Sequence, residues 1–217
     1  LGDVIQTTPL IKEYRAAHPQ TEIHLLLLDE NQNALAGFDA IDQFHSIPQK
    51  QVGKLNSQID AHRDQPSDEA QAVIEALDLP DFDNLINLTH GALGCWLADR
   101  TPARKKEGGL ITTAGDWVWQ GAWHVYLVAM LDFRDQNQFN LVDLYRATGP
   151  AGPVDPAARP YVAKAQLLPF TLPAGRLVAL NPGASHAHRR WPAASYATLA
   201  AELQHQGFSP ILVGAPA

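Results

Sequence analysis

Cysteine is nearly absent from this sequence, with Cys95 the single example among 217 residues. One cysteine excludes an internal disulfide and is typical of proteins from a reducing compartment. Long apolar runs are also missing, because none approaches the roughly 20 residues that a bilayer span requires. Basic residues are outnumbered, with 16 Lys and Arg against 23 Asp and Glu, and the formal net charge is −7. That charge argues against a nucleic acid as the partner.

Two common signatures of nucleotide chemistry are lacking as well. No G-x-G-x-x-G sequence is present, so a dinucleotide-binding dehydrogenase is not expected. No D-x-D pair stands at a predicted strand end, where it would clamp a metal-bound phosphate. His186 and His188 lie close in sequence, but two arginines adjoin them and no carboxylate or cysteine lies nearby. We therefore expect no metal site at these histidines.

Strands and helices alternate along the first 150 residues. The apolar spacing predicts helices over 8–17, 69–77, 92–98, 119–131 and 141–147 and strands over 23–28, 41–47 and 85–88. A short helix or turn is expected over 31–37, and the Gly- and Thr-rich residues 107–116 are predicted to form a loop. Pro9 is expected in the first turn of its helix. This alternation is typical of an α/β domain with a mainly parallel sheet.

The composition changes between Thr148 and Pro173, where prolines and glycines are frequent. Such a stretch is predicted to be a stiffened linker. A strand over 177–180, a helix over 193–206 and a strand over 210–213 follow it. We therefore expect one domain over 1–150, a linker over 151–173 and the start of a second domain over 174–217. The sequence begins inside a motif and ends just after a strand, so we expect a fragment without its first strand and most of its second domain.

The most informative segment is V-A-L-N-P-G-A-S-H-A-H-R-R-W-P, residues 178–192. A strand, a tight loop of small residues and a helix are how α/β proteins bring backbone N–H groups close to a phosphate. Gly183 and Ser185 are candidates for contacts from this loop. Arg189 and Arg190 are candidates for offsetting the charge of a diphosphate. Two solvated arginines on a loop remain the alternative, and Trp191 is expected to clamp the start of the helix.

This segment resembles the corresponding stretch of the family 9 glycosyltransferases, the bacterial lipopolysaccharide heptosyltransferases. Residues 2–9, G-D-V-I-Q-T-T-P, resemble the opening motif of that family, and F-N-L-V-D-L-Y at 139–145 is a softer match. The three matches follow the order of the family and extend over essentially the whole chain. The resemblance implies an α/β fold with two Rossmann-like domains of GT-B architecture, the second of them incomplete.

The resemblance also implies an activity, namely inverting, metal-independent transfer of heptose from ADP-heptose to the lipopolysaccharide inner core, without a cofactor. Asp3 then takes the proton from the acceptor hydroxyl as general base. Judged without the family, Asp3 is more readily a helix N-cap. Gly2 is expected to let the backbone pass close to substrate. Many family members carry lysine where this chain has Arg189, and that basic residue is implicated in binding the phosphates of the donor.

The densest basic cluster comprises Arg100, Arg104, Lys105 and Lys106. It is either a solvated loop or a surface that attracts an anionic acceptor. His90 ends a predicted strand and is expected to be structural rather than to face a cleft. Localisation is expected to be cytoplasmic, with peripheral contact at the cytoplasmic face of the inner membrane.

Three other functions stay open at this point. One is a sugar-nucleotide-processing enzyme of the same architecture, such as a 2-epimerase, and another is a transferase acting on a different surface glycan. The third is a non-catalytic module that binds a nucleotide sugar or a glycan. Because much of the donor domain is expected to be missing, the fragment alone is predicted to have little or no activity.

Overall fold

The structure is a computed structural model that describes residues 2–150, 159–162, 171–184 and 187–214. The chain divides into two compact units, Leu1–Lys164 and Ala165–Ala217. The division falls within the stretch 151–173 that composition marks as a linker. Both units combine helices with strands, so the prediction of an α/β fold is confirmed.

The first helix, α1, spans Gly2–Ala17 and contains Pro9 in its interior. The prediction that Pro9 lies in a first turn is therefore wrong. A proline offers no N–H to the carbonyl four residues earlier, which here belongs to Ile5. The hydroxyl of Thr8 donates to that carbonyl at 2.7 Å and accepts the N–H of Tyr161 at 2.7 Å. Thr8 is fully buried, so a tertiary contact stabilises a helix that the proline rule would have ended.

The first unit contains two small sheets. Strands β1 (His24–Leu28) and β2 (Gln43–Ile47) pair in parallel. Strands β3 (Phe82–Asn87), β4 (Ala103–Ile111) and β5 (Trp117–Gln120) form the second sheet, where β3 and β4 are parallel and β4 and β5 antiparallel. The prediction of mainly parallel strands is thus confirmed, because β4–β5 is the one antiparallel pair among the described strands of this unit.

The hairpin of β4 and β5 differs from the sequence-based prediction. Residues 107–111 continue β4 instead of forming a loop, and 117–120 form β5 before the next helix begins. Gly109 is required inside the strand, because a Cβ there would lie 2.6 Å from the ring of Trp119 and 2.7 Å from the sulfur of Cys95. The glycines that suggested a loop therefore make room for an indole on the sheet.

Five further helices complete the first unit: α2 (Gln49–Ala61), α3 (Asp68–Leu77), α4 (Ala92–Arg100), α5 (Ala122–Asp132) and α6 (Leu141–Ala147). Helix α2 was not predicted. Its Leu55 and Ile59 are fully buried at helical spacing, but polar residues separate them in the sequence. A 3₁₀ turn at Asp29–Leu35 agrees with the short helix or turn expected there.

The main core of the first unit lies between α2, α4 and β4. Trp96, Ile111 and Cys95 have no exposed surface there. Burial raises the pKa of the Cys95 thiol to about 12, so the thiol stays protonated at neutral pH and contributes packing. Truncating a buried tryptophan such as Trp96 to alanine costs about 3–5 kcal/mol of folding free energy.

The second unit is a strand–helix–strand arrangement, as predicted. Strands β6 (Arg176–Leu180) and β7 (Phe208–Leu212) pair in parallel, and α7 (Ala193–His205) connects them. Among the described residues of both units, no helix combines the length and the apolar character that crossing a membrane demands.

Candidate functional site

Asp3 lies in the first turn of α1, where the positive end of the helix dipole favours a carboxylate. Its side chain is exposed, and no described residue forms a hydrogen bond or an ion pair with it. The capping alternative therefore finds no described N–H donor to this carboxylate. An exposed carboxylate without a competing cation is available to accept a proton.

Two side chains from distant parts of the sequence lie within reach of the charge of Asp3. Burial lowers the pKa of His90, and the negative charge of Asp3 raises it in part. Burial raises the pKa of Tyr145 to about 12, and Asp3 adds to that rise. The charge of Asp3 thus acts on both His90 and Tyr145. Tyr145 is the last residue of the 139–145 match, although its proximity to Asp3 was not anticipated.

Unsatisfied polar atoms mark the same region. His90 is half-buried, and its Nδ1 atom has no hydrogen-bond partner among the described residues. Gln6 lies one helical turn after Asp3, and its buried Oε1 atom likewise has no described partner. Buried polar atoms are usually hydrogen-bonded in native structures, so unmet groups beside an exposed carboxylate are typical of a functional site.

The loop that carries His90 is tied to the sheet by hydrogen bonds at the carboxyl end of β3. Asn87 is buried, and its amide donates to the carbonyl of Gly109 at 2.7 Å while its Oδ1 accepts the N–H of Thr89 at 3.0 Å. Gly108 has a φ of +104°, and a Cβ there would lie 2.0 Å from the carbonyl oxygen of Asn87. Only glycine fits that position, and the pairing it permits fixes where His90 stands.

Gly2 precedes Asp3 but has no close neighbour. A Cβ built on it meets nothing within 4 Å among the atoms of the structure, and Gly2 is exposed. The expected approach of its backbone to substrate stays a prediction, since no contact of the chain itself requires glycine there.

The four basic residues near β4 do not form one continuous patch. Arg104 pairs with Asp83 at 3.1 Å, and Lys105 pairs with Glu107 at 2.5 Å. Strand alternation places Lys106 on the face opposite Lys105, where its ammonium group donates to the carbonyl of Asp99. Arg100 contacts a different carbonyl, that of Ile111 at 2.9 Å. Their role in acceptor binding stays a prediction.

In the second unit, the loop after β6 folds back on its first residue. The side chain of Asn181 accepts the N–H of Gly183 at 3.0 Å, and its carbonyl accepts the hydroxyl of Tyr196 at 2.9 Å. A Cβ on Gly183 would lie 3.2 Å from the Asn181 side chain. Glycine therefore permits the tight turn that the sequence suggested. Ser185 and His186 lie outside the described residues.

The two arginines of this loop differ in their contacts. The Nε atom of Arg190 donates to the carbonyl of Ala184 at 3.0 Å, which ties the loop together. Arg189 ends a short 3₁₀ turn and is exposed, and no described residue pairs with its guanidinium. The carbonyl contact of Arg190 occupies one of its five N–H donors and leaves its charge unpaired among the described residues, so both arginines stay candidates for a phosphate contact.

Trp191 packs its ring edge-on against Tyr196, with the centroids 5.1 Å apart. Tyr196 lies in α7 and also anchors the loop after β6. This arrangement agrees with the expected clamp at the helix start.

Groups of three or more metal-binding side chains are absent among the described residues of both units.

A cavity of about 440 Å³ opens in the first unit between α1, α5, α6 and the face of the β3–β4 sheet. Its wall includes Tyr14, Lys105, Glu107, Trp123 and His124. His124 is 2% exposed, and its Nε2 atom has no partner among the described residues. Sequence analysis placed Lys105 in a basic cluster and did not anticipate the other four, because the five residues come from three separate elements, α1, β4 and α5.

The fold is found in two solved glycosyltransferases. A family 9 glycosyl transferase from Veillonella parvula matches 100% of this chain with a TM-score of 0.65 at 19% identity. The Escherichia coli heptosyltransferase WaaC with ADP matches 99% with a TM-score of 0.58 at 17% identity. The chain spans 60% and 65% of the lengths of those two proteins. No protein-family model and no curated protein sequence matches the chain. The resemblance that the three motifs suggested is therefore confirmed in the fold.

Proposed function

We propose that this chain is part of an inverting glycosyltransferase that transfers heptose from ADP-heptose to the inner core of lipopolysaccharide. The observation that carries the proposal is the fold, which extends over the whole chain and is that of family 9 glycosyltransferases. One of the two similar structures is a heptosyltransferase with ADP, which supports an adenosine diphosphate as the leaving group. The lipopolysaccharide acceptor and the donor role of the second unit belong to the proposal, and the chemistry of the residues below supports them.

Asp3 is the proposed general base. As the acceptor oxygen attacks the anomeric carbon, the Asp3 carboxylate takes the hydroxyl proton and the bond from the anomeric carbon to the diphosphate oxygen breaks. The electron pair of that bond leaves with the diphosphate. A glycosidic bond to the acceptor thus replaces the bond between the sugar and the phosphate, with inverted configuration at the anomeric carbon. The exposure of Asp3 and its lack of a described cationic partner support this role. General bases of this kind contribute about 10²–10⁴ in rate.

Arg189 is the proposed contact to the leaving diphosphate. The negative charge on the diphosphate grows as the bond breaks, and a guanidinium stabilises that charge through paired N–H donors. The exposed position of Arg189, without a described carboxylate beside it, supports the assignment. Gly183 is proposed to keep the loop tight enough for its backbone N–H groups to approach phosphate. For Ser185, the proposed phosphate contact is supported only by the sequence motif.

The test is transfer by the full-length protein, with ADP-heptose compared against other nucleotide sugars on a heptose-deficient lipopolysaccharide. Asp3→Asn is expected to lower kcat by about 10²–10⁴ while ADP binding is retained. Asp68→Asn is the matched control, because Asp68 is also an exposed carboxylate in the first turn of a helix. Unchanged kcat in Asp3→Asn would reject the assigned base. Donor turnover that does not need an acceptor would favour a sugar-nucleotide-processing enzyme instead.

A further inference from the structure

The cavity beside α5 has the size and lining of a small-molecule site. Its volume of about 440 Å³ falls within the about 300–1,000 Å³ that is usual for ligand pockets. Tyr14 lies eleven residues after Asp3 on α1, which places the cavity roughly 16 Å along the helix at 1.5 Å per residue. The α1 side of the cavity therefore lies about three helical turns from the proposed base.

The polar groups of the cavity alternate between donors and acceptors. Lys105 and Glu107 face each other at 2.5 Å and keep the net charge of the lining close to zero. The hydrogen bond to Glu107 raises the pKa of Lys105, and burial lowers the pKa of His124 and raises that of Tyr14. At neutral pH the lining therefore offers an ammonium, a carboxylate, a neutral imidazole and a phenol. The amide of Asn84 adds one further donor and acceptor.

An indole with a fixed plane forms the apolar part of the wall. Trp123 is 39% exposed and borders the cavity. The rings of Tyr126 and Phe139 pack edge-on against it, with centroids 5.7 Å and 5.6 Å from that of the indole. Held in this way, the indole offers a flat apolar surface at little cost in side-chain entropy.

These features favour a polyhydroxylated ligand over an ion. A phosphate or carboxylate would meet the carboxylate of Glu107, and Lys105 is already neutralised by it. A divalent cation would need several carboxylate or imidazole ligands, and no such group of three is found in the described part of the chain. A hydroxyl group donates and accepts at once, so it suits a wall where both kinds of partner alternate.

We propose that this cavity binds one pyranose unit of a carbohydrate. The C–H face of the sugar ring lies against the indole of Trp123, and its hydroxyl groups bond to Lys105, Glu107 and Asn84. The proposal does not depend on the transfer reaction, because none of the groups that it uses is the proposed base or the proposed diphosphate contact.

Titration of the full chain with simple glycosides, followed by NMR, tests this site. The probes are the methyl α-glycosides of glucose, mannose and galactose, each raised to ~100 mM, so that even a site with a Kd of about 1 mM is saturated. At least one glycoside is expected to shift the indole N–H signal of Trp123 and the ring signals of His124 to saturation. Trp123→Ala and Lys105→Met are each expected to weaken that binding at least about tenfold.

Val125→Ala is the matched control, because Val125 is a more exposed residue of the same helix that does not border the cavity. Its glycoside affinity is expected to equal that of the unchanged protein. The proposal is overturned if no glycoside moves these signals, if inorganic phosphate moves them and the glycosides do not, or if Trp123→Ala binds as tightly as the parent. If the unchanged protein binds a glycoside but transfers no sugar, the proposed function is rejected and the sugar site is retained.

Discussion

The carboxylate of Asp3 acts on the phenol of Tyr145, a residue near the other end of the first unit. Burial and then the charge of Asp3 raise the pKa of Tyr145 to about 12. Tyr145 is 5% exposed, so the charge acts across a boundary between solvent and core. The proposed base and a buried hydroxyl group are therefore electrostatically linked, and His90 shares the link.

Asp3→Asn is expected to lower two pKa values in the same protein. A negative charge disfavours the phenolate of Tyr145 and favours the imidazolium of His90, so it raises both pKa values. Its removal should bring the pKa of Tyr145 below about 12 and move that of His90 further below its usual range. Ultraviolet titration of the phenol and NMR titration of the imidazole measure the two shifts. Asp68→Asn should leave both unchanged, and an unmoved His90 in Asp3→Asn would contradict the proximity.

Thr8→Val is expected to destabilise the first unit by about 2 kcal/mol, because two partly buried groups lose their partners at about 1 kcal/mol each. The carbonyl of Ile5 has no N–H from Pro9 to replace the hydroxyl, and the N–H of Tyr161 loses its acceptor. Urea unfolding of the full chain measures the change in free energy.

Thr7→Val is the matched control for that experiment. The hydroxyl of Thr7 donates to the carbonyl of Val4 at 2.8 Å, but in a regular helix the N–H of Thr8 also serves that carbonyl. The cost is therefore expected to stay below about 1 kcal/mol. Equal losses in the two variants would show that the missing N–H of Pro9 does not explain the importance of Thr8.

Arg189→Ala is expected to weaken ADP binding by roughly 10- to 100-fold, since a charged hydrogen bond contributes about 1.5–3 kcal/mol. Calorimetry at two salt concentrations measures the loss, which should shrink as screening rises. Arg176→Ala is the control, because the Arg176 guanidinium instead stacks 4.0 Å from the ring centroid of Phe208. If both variants bind ADP as the parent does, Arg189 has no role in donor binding.

Apolar spacing predicted most helices and strands, but it failed where a distant residue decides the local structure. Pro9 lies inside α1 because Thr8 replaces the missing hydrogen bond and is itself held by Tyr161. Gly109 belongs to a strand because Trp119 packs over it. Tyr161 and Trp119 lie far from Pro9 and Gly109 in the sequence, so no local pattern could reveal these two contacts.

The candidate site shows the same difference between residues found from short motifs and residues defined by distant contacts. Asp3 and Arg189 stand in short motifs, and the resemblance to a family identified both. Tyr145 and His124 acquire their surroundings from packing between separate helices and the sheet. Asp3 lies within the first turn of α1, which a pattern beginning at Thr8 did not include.

The glycine at position 108 carries a consequence for how this protein tolerates change. With any side chain there, either Asn87 releases Gly109 or β3 slides against β4, and both movements displace the imidazole of His90. Mutational scanning that selects only for expression should thus find this residue as intolerant as a core tryptophan. Because it lacks a side chain, Gly108 sets the spacing between β3 and β4, and the position of His90 depends on that spacing.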